Sequence, residues 1–308
     1  MNAPLVEVIA EELNAPVPAE VSAAAAALAH KPGVLAVLFY GSVLRTGDFD
    51  GVLDFYVLTD GIRSRGLRAL ATRWLWPDVS YVETPVGTRM IRAKVATMPI
   101  DTFRTAVEGR SLDTTIWARF TQPAALVWAA DAAVARRVIE AVAAAVTTAA
   151  RFAAVLGPES GEAADYWSAL FRQTYTAEFR VERPGRERQI LAYHPERYDR
   201  LLPLAWDAAG IGHARDGDVL VPSVPATMRR AVTRAWRARR RAGKPLNVAR
   251  LVKAAFTFEG ATRYALWKLE RHTGVHLPLT PWRERHPILA APGVLWRVWR
   301  GTRISPAR

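Results

Sequence analysis

Asp54 is a lone carboxylate inside an otherwise apolar segment, residues 52–58. Burying such a charge among apolar side chains is costly unless a cation balances it, and a divalent metal is the usual reason. A second apolar segment, residues 34–40, precedes it and is followed by Gly41 and Ser42. A glycine lets the backbone approach an anion closely, and hydroxyl and turn N–H groups bind phosphate oxygens. Together these residues suit a site for a metal ion and phosphate groups.

The elements that must position these residues are two β-strands. Residues 34–40 and 52–58 are short, rich in β-branched and aromatic residues, and separated by a polar loop, which predicts two strands of one sheet. Carboxylates at i and i+2 of a strand share a face and can hold one metal together. Here Tyr56 occupies the second position. Two interpretations stay open: either other acids complete the metal site with Asp54, the candidates being Asp48 and Asp50 in the preceding loop and Asp60 at the end of the strand, or the site is degraded.

The layout of these residues resembles the core of the nucleotidyltransferase superfamily, in which a Gly-Ser pair ends one strand and acidic residues lie on the next. With one aspartate instead of two, Tyr40-Gly41-Ser42 and Leu53-Asp54-Phe55 are similar to motifs of the mitochondrial-type phosphatidate cytidylyltransferases. These are the soluble-fold CDP-diacylglycerol synthases of the translocator assembly and maintenance family.

Three further segments resemble that family in the same order along the chain. Residues 89–95 stand where the family has a basic strand, although its Lys-Tyr-Gly is here Arg92-Ala93-Lys94. Residues 174–180 are similar to its Tyr-Ser-Gly-Asp-Phe-Arg segment, and residues 256–269 to its basic C-terminal segment. The shared order is a stronger argument than any one motif.

The resemblance implies a substrate pair and a role for each motif. Tyr40, Gly41 and Ser42 would bind the nucleotide CTP. Asp54 would hold Mg²⁺, with Asp50 as a second candidate ligand. Arg92 and Lys94 alternate with apolar residues and so share one face of the predicted strand. On the face of Asp54 they would join it as catalytic residues and neutralise phosphate charge. The acceptor would be phosphatidate or a related anionic phospholipid.

Composition narrows the partners. The chain has 308 residues and no cysteine, so disulfides and thiolate zinc sites are excluded. Its net charge of +13 comes largely from residues 229–308, which predicts an anionic partner, either a membrane or a nucleic acid. A compositional bias towards Arg and Ala is an alternative source of part of this charge. The resemblance favours an anionic membrane surface and disfavours nucleic acid.

The N-terminus lacks the basic-then-apolar pattern of a signal peptide, and no segment reads as about 20 apolar residues, the length that spans a bilayer. The longest candidate, residues 141–156, is interrupted by Thr147, Thr148 and Arg151. Tryptophan and arginine are interleaved near the C-terminus, a mixture typical of membrane interfaces. We therefore expect a cytoplasmic protein that binds peripherally to the inner face of the membrane.

The predicted fold class is α+β, with a nucleotidyltransferase-type mixed sheet and helices at residues 1–130. A helical or winged-helix-like domain follows at 131–215, and a basic helical segment that contacts the membrane at 216–308. A Gly- and Pro-rich boundary is expected at 210–225. Within the basic segment, Gly243-Lys244-Pro245 predicts a turn between helices at 226–242 and 248–272.

The predicted function is a peripheral membrane CTP:phosphatidate cytidylyltransferase that uses Mg²⁺ and makes CDP-diacylglycerol and pyrophosphate for phospholipid biosynthesis. Two alternatives stay open. The basic C-terminal region allows a nucleotidyltransferase that acts on RNA or a small molecule, although such enzymes normally keep the Asp-x-Asp pair. Tyr56 allows a catalytically inactive binding protein that keeps the fold. Sequence signatures of serine hydrolases, zinc proteases and P-loop enzymes are missing.

Overall fold

The computed structural model describes residues 3–48, 51–62, 66–87, 89–178, 185–273, 278–282 and 293. Within these residues the fold is α+β, as predicted, with helices packed on a five-stranded mixed sheet and a separate two-stranded hairpin. In chain order the elements are α1 (Ala3–Leu13), α2 (Ala19–Ala29), β1 (Val34–Tyr40), α3 (Ser42–Thr46), β2 (Leu53–Thr59), α4 (Gly66–Trp74), β3 (Asp78–Val86), β4 (Arg89–Pro99), α5 (Ile100–Val107), α6 (Thr115–Phe120), β5 (Ala124–Ala129), α7 (Ala132–Leu156), α8 (Ala163–Ala177), α9 (Arg186–Ala192), α10 (Pro195–Ala208), β6 (Gly212–Asp216), β7 (Val219–Ser223), α11 (Ala226–Thr257) and α12 (Ala261–Thr273).

The strand order in the main sheet is β3-β4-β2-β1-β5. Strands β1 and β2 are the two strands expected from the apolar segments, and they pair antiparallel. Strand β4 then pairs parallel with β2, while β3 and β5 pair antiparallel with their neighbours. The two strands that carry the motif residues therefore lie next to each other inside the sheet.

Each face of the sheet has its own hydrophobic core, because side chains alternate along a strand. Phe39 and Phe55 belong to one buried cluster, which α2 covers. Leu38 and Tyr56 belong to the other, larger cluster. That cluster continues through α1 and α5–α8 and reaches Trp236 of α11, so its members come from all three predicted domains. The predicted boundaries at residues 130 and 215 stay a prediction.

Helix α7 differs from the expectation that no segment could span a membrane. It has 25 residues, and by length and composition alone it is apolar enough to cross a bilayer. In the fold, 67% of its most apolar window is buried by other elements. The interruption by Thr147, Thr148 and Arg151 is therefore weaker than it looks in the sequence, and α7 packs as a core helix.

Helix α11 replaces the turn that was predicted at residues 243–245. It continues through Pro245, whose missing N–H removes one helical hydrogen bond. Tertiary contacts hold both halves. Gly243 lies against the backbone carbonyl of Ala177, and Arg250 and Lys253 of the second half form buried ion pairs. Packing therefore overrides the local preference for a turn.

The end of α11 leads back to the sheet. The carbonyl oxygen of Glu259 accepts a hydrogen bond from the backbone N–H of Tyr81 on β3, at 2.8 Å. Helix α12 follows, and the ring of Tyr264 lies 5.5 Å from that of Tyr81. Upstream, the Gly- and Pro-rich region expected to be a boundary contains the hairpin β6–β7.

Candidate functional site

Four polar side chains form a row across one face of the sheet. Tyr40 is directly opposite Asp54 in the β1–β2 pair, Asp54 opposite Lys94 in the β2–β4 pair, and Lys94 opposite Tyr81 in the β4–β3 pair. Directly opposite residues share a face, with neighbouring strands about 4.8 Å apart. The register therefore places Lys94 beside Asp54, the arrangement on which its predicted catalytic role depends.

The glycine turn lies against the carboxylate of Asp54. Gly41 has φ +101° and ψ −163°, a conformation that side chains rarely adopt. A Cβ atom at this position would lie 2.7 Å from Oδ2 of Asp54. Ser42 then begins the short helix α3 and is exposed. The structure thus brings together Gly41, Ser42 and Asp54 of the predicted site. A glycine is required at position 41 because the carboxylate of Asp54 lies against it.

Tyr56 is a core residue and not a substitute metal ligand. Its side chain is fully buried, and its ring packs against those of Tyr40, Phe103 and Phe120. Its hydroxyl oxygen accepts a hydrogen bond from Nη1 of Arg119 at 3.0 Å. The position two residues after Asp54 therefore serves the hydrophobic core, and a carboxylate there would have to be buried in an aromatic cluster.

Arg119 is a second cation close to Asp54 that the sequence analysis missed. It comes from α6, and its guanidinium lies over the rings of Tyr40 and Tyr56, 5.2 and 5.7 Å from their centroids. Burial lowers the pKa of Arg119, but Tyr40, Tyr56 and Asp54 raise it more, so the net direction is upward and the side chain is charged. Nothing local in the sequence marks this residue, since α6 meets the motif only in the folded chain.

Arg45 adds a third cation from the motif itself. It lies on α3, and its Nη1 donates a hydrogen bond to Oε1 of Gln122 at 3.1 Å. Its Nε is buried without a hydrogen-bond partner among the described residues. Burial, and then the charge of Arg186, lower the pKa of Arg45. Two arginines that repel each other beside an unpartnered N–H favour an anion at this place. The sequence could have indicated Arg45, because it follows Ser42 of the Gly-Ser motif by only three residues.

These three cations offset only part of the cost of burying the charge of Asp54. Burial raises the pKa of Asp54, whereas Lys94, Arg119 and Arg45 lower it, and the net direction is upward. The surroundings therefore hold a carboxylate that is costly to ionise, together with an excess of positive charge. This combination attracts anionic groups such as phosphates, and a metal ion brought by them would relieve the cost of ionising Asp54.

Arg92 lies on the same face as Lys94 but has other partners. It is directly opposite Glu83 in the β3–β4 pair, and its Nε lies 3.7 Å from a carboxylate oxygen of Glu83. Its guanidinium also lies 5.6 Å from the ring of Trp267 on α12. Arg92 shares the face of Asp54, because Lys94 is directly opposite Asp54 and Arg92 lies two residues before Lys94 on the same strand. Arg92 is therefore placed to meet a ligand beyond Lys94, on the side of the site where α12 packs.

A metal site built from protein alone does not occur in the described part of the chain, which contains no group of three or more His, Cys, Asp or Glu side chains suitably placed. Asp50, the second predicted ligand, lies outside the described residues. Mg²⁺ is usually held by one or two carboxylates together with substrate phosphates. Asp54 fits the ion in that form, with the nucleotide supplying most of the ligands.

No protein-family model matches the chain, and a search of curated proteins finds no match. The site and the resemblance of its motifs are therefore the only guides to the function of this protein.

Proposed function

We propose that the protein is a peripheral membrane CTP:phosphatidate cytidylyltransferase with a nucleotidyltransferase-type sheet. The observation that carries this proposal is the contact between Gly41 and the carboxylate of Asp54, with Lys94 directly opposite on the next strand. A glycine turn, one carboxylate and a surplus of cations are the parts that nucleotidyl transfer needs. Its products are CDP-diacylglycerol and pyrophosphate.

In the proposed reaction, a phosphate oxygen of phosphatidate attacks the α-phosphorus of CTP. A new P–O–P bond forms, the bond between the α-phosphorus and the bridging oxygen to the β-phosphate breaks, and pyrophosphate leaves with the electron pair. The attacking phosphate monoester is already anionic near neutral pH, because its second pKa is about 6. No proton has to be removed, which agrees with a site whose described residues include no histidine.

The residues of the chain bind and orient the two phosphate-bearing substrates. The turn at Gly41 and Ser42 admits the triphosphate beside Asp54. Asp54 and phosphate oxygens would hold Mg²⁺, which would supply positive charge to offset the charge on the phosphates. Lys94 and Arg45 lie close enough to Asp54 to lower its pKa, and they would neutralise charge on the phosphates as well. Arg92 would meet the acceptor.

The alternatives are separated by what the purified protein does with CTP. Incubation with labelled CTP, Mg²⁺ and phosphatidate, followed by lipid extraction, should give labelled CDP-diacylglycerol. The Asp54→Asn variant in the same assay is the control for contaminating enzymes. Label that enters RNA instead of lipid would favour the RNA-acting alternative. Binding of CTP without any product would favour the inactive binding protein, for which Tyr56 is the main argument.

A further inference from the structure

One face of helix α11 points away from the fold along its whole length. Its exposed residues follow each other at intervals of three and four, which places them on one side of a helix. The opposite side, with Val232, Trp236 and Arg239, is buried against the rest of the protein. We call the outward row the α11 stripe; its members are Arg230, Arg234, Arg237, Arg241, Lys244, Val248, Leu251 and Ala255.

The α11 stripe changes its chemistry once along the helix. Its first five members are cationic and its last three are apolar. Two exposed apolar neighbours, Val252 and Phe256, widen the apolar end. Leu251 is 62% exposed and Phe256 is 78% exposed. Several large apolar side chains exposed side by side are unusual unless they contact a partner, and here they continue a row of positive charge.

Helix α4 adds to the apolar end of the α11 stripe. Nζ of Lys253, which lies between Val252 and Phe256 along the helix, donates a hydrogen bond to the carbonyl oxygen of Leu75 at 2.9 Å. This contact brings the end of α4 beside the second half of α11. The preceding residue, Trp74, is 68% exposed. An exposed tryptophan is typical of a surface that enters the headgroup region of a membrane.

The apolar end also lies on the side of the candidate site. Three residues after Phe256, the carbonyl oxygen of Glu259 bonds the backbone of Tyr81 on β3. Tyr81 is opposite Lys94, which is opposite Asp54. Two strand spacings, about 10 Å, therefore separate the strand where α11 ends from the carboxylate strand. A phospholipid headgroup bound where α11 meets β3 would be about that far from the strand of Asp54.

We propose that the α11 stripe, with Trp74, is the surface by which the protein lies on an anionic phospholipid membrane. The apolar end enters the boundary between headgroups and acyl chains, and the cationic end binds lipid phosphates. The proposal deepens the proposed function and rests on it for the lipid substrate. Nucleic acid is a less suitable partner, because the cationic part of the α11 stripe carries no aromatic residue on which bases could stack. A second copy of the chain is also less suitable, because pairing two stripes would either remove water from their cations or bring cations of the two copies face to face.

The test compares two altered stripes with a matched control. The apolar variant is Leu251→Ser/Phe256→Ser, and the cationic variant is Arg234→Gln/Arg237→Gln/Arg241→Gln. The control is Val219→Ser/Val221→Ser, which changes two exposed apolar residues of the β6–β7 hairpin. Co-sedimentation is measured with phosphatidylcholine vesicles, with and without phosphatidate, over a salt series. All substituted side chains are exposed, so equal melting temperatures would show that the variants are folded.

Each half of the stripe should have its own signature. The apolar variant should bind phosphatidate vesicles at least about tenfold more weakly. Added salt should then abolish the remaining vesicle binding of this variant, because that binding depends on charge alone. The cationic variant should lose its preference for phosphatidate vesicles, by about a hundredfold. The control should bind like the wild type. Wild-type binding by the apolar variant would overturn the proposal, as would binding of RNA in place of vesicles or a dimer that the variants disrupt.

The same proteins separate this proposal from the proposed function. Turnover of CTP is measured with phosphatidate dispersed in detergent, where membrane docking is not needed. Normal turnover in detergent by a wild-type protein that does not bind phosphatidate vesicles would overturn the membrane surface and leave the enzyme activity standing. Vesicle binding with the expected signatures but no CDP-diacylglycerol in either format would overturn the activity and leave the surface.

Discussion

The carboxylate of Asp54 occupies the space that a side chain at residue 41 would need. A Cβ atom at Gly41 would lie 2.7 Å from Oδ2 of Asp54, closer than real Cβ atoms approach an oxygen. Gly41 directly follows β1, whose last residue, Tyr40, is directly opposite Asp54 on the neighbouring antiparallel strand β2. The glycine therefore has a function that the sequence alone does not reveal: it makes room for the carboxylate of Asp54.

The first prediction concerns Gly41→Ala. The new Cβ atom should displace Asp54, and a displacement of about 1 Å is enough to reduce turnover about a hundredfold. The control is Gly47→Ala. Gly47 also has positive φ, +69°, but a Cβ atom there meets nothing within 4 Å. Gly47→Ala should lose about 1 kcal/mol of stability from backbone strain, and Gly41→Ala should lose about 1–3 kcal/mol because its φ and ψ lie in a region almost restricted to glycine; only Gly41→Ala should lose CTP turnover. Equal activity of the two variants would contradict the role of the contact.

The second prediction is that Asp54→Asn loses activity without losing stability. Turnover should fall at least about a thousandfold, as when a main electrostatic group is removed. The pKa of Asp54 is raised in the fold, so stability is lost as pH rises through that pKa, and the neutral variant avoids the loss. At pH 7 its melting temperature should equal or exceed that of the wild type, with the difference disappearing in acid. A lower melting temperature at pH 7 would show that the carboxylate stabilises the fold.

The third prediction concerns the effect of Lys94 on Asp54. The pKa of Asp54 lies above the ordinary aspartate value of 3.8, and the charge of Lys94 lowers it. In Lys94→Met the pKa should therefore move further upward. The measurement is a ¹³C NMR titration of aspartate carboxyl groups in the ligand-free protein, with Asp54→Asn to identify the signal. An unchanged or lower pKa in the lysine variant would show that the two side chains do not interact.

Local patterns predicted the motif strands, but not the residues that complete the site. The apolar segments at 34–40 and 52–58 indicated β1 and β2 almost to the residue, and alternation along the chain placed Arg92 and Lys94 on one face. The parallel pairing of β2 with β4, which brings Lys94 opposite Asp54, depends on register between segments about 40 residues apart. Arg119 arrives from α6, and its position depends on packing. Sequence periodicity carries no information on the β2–β4 register or on the position of Arg119.

The fourth prediction is that Tyr56→Asp does not repair the missing carboxylate. The new charge would be buried among Phe103, Phe120 and Tyr40, and burial of this kind costs several kcal/mol. The variant should unfold or melt at a much lower temperature, with no gain in turnover. The matched change Tyr56→Phe keeps the ring and removes only the hydrogen bond from Arg119. It should cost about 1 kcal/mol. A stable, more active aspartate variant would show that position 56 faces the substrate.

The fifth prediction concerns the part of the basic C-terminal region that supports the fold. Nη1 of Arg250 lies 2.5 Å from Oδ1 of Asp113, whose side chain is 2% exposed. Arg250→Met leaves this buried carboxylate without its charged partner and should cost about 3–5 kcal/mol of stability.

Oδ2 of Asp113 also accepts a hydrogen bond from the backbone N–H of Ile116, and Asp113→Asn keeps an oxygen for it. The double variant Arg250→Met/Asp113→Asn should therefore be more stable than Arg250→Met alone, a coupling that denaturant unfolding measures. Additive losses would show that the ion pair is not a structural link. Deleting the chain from residue 248 would remove this pair and the one between Lys253 and Asp78. A loss of vesicle binding after that truncation would then follow from unfolding, whereas substitutions on the α11 stripe leave both ion pairs in place.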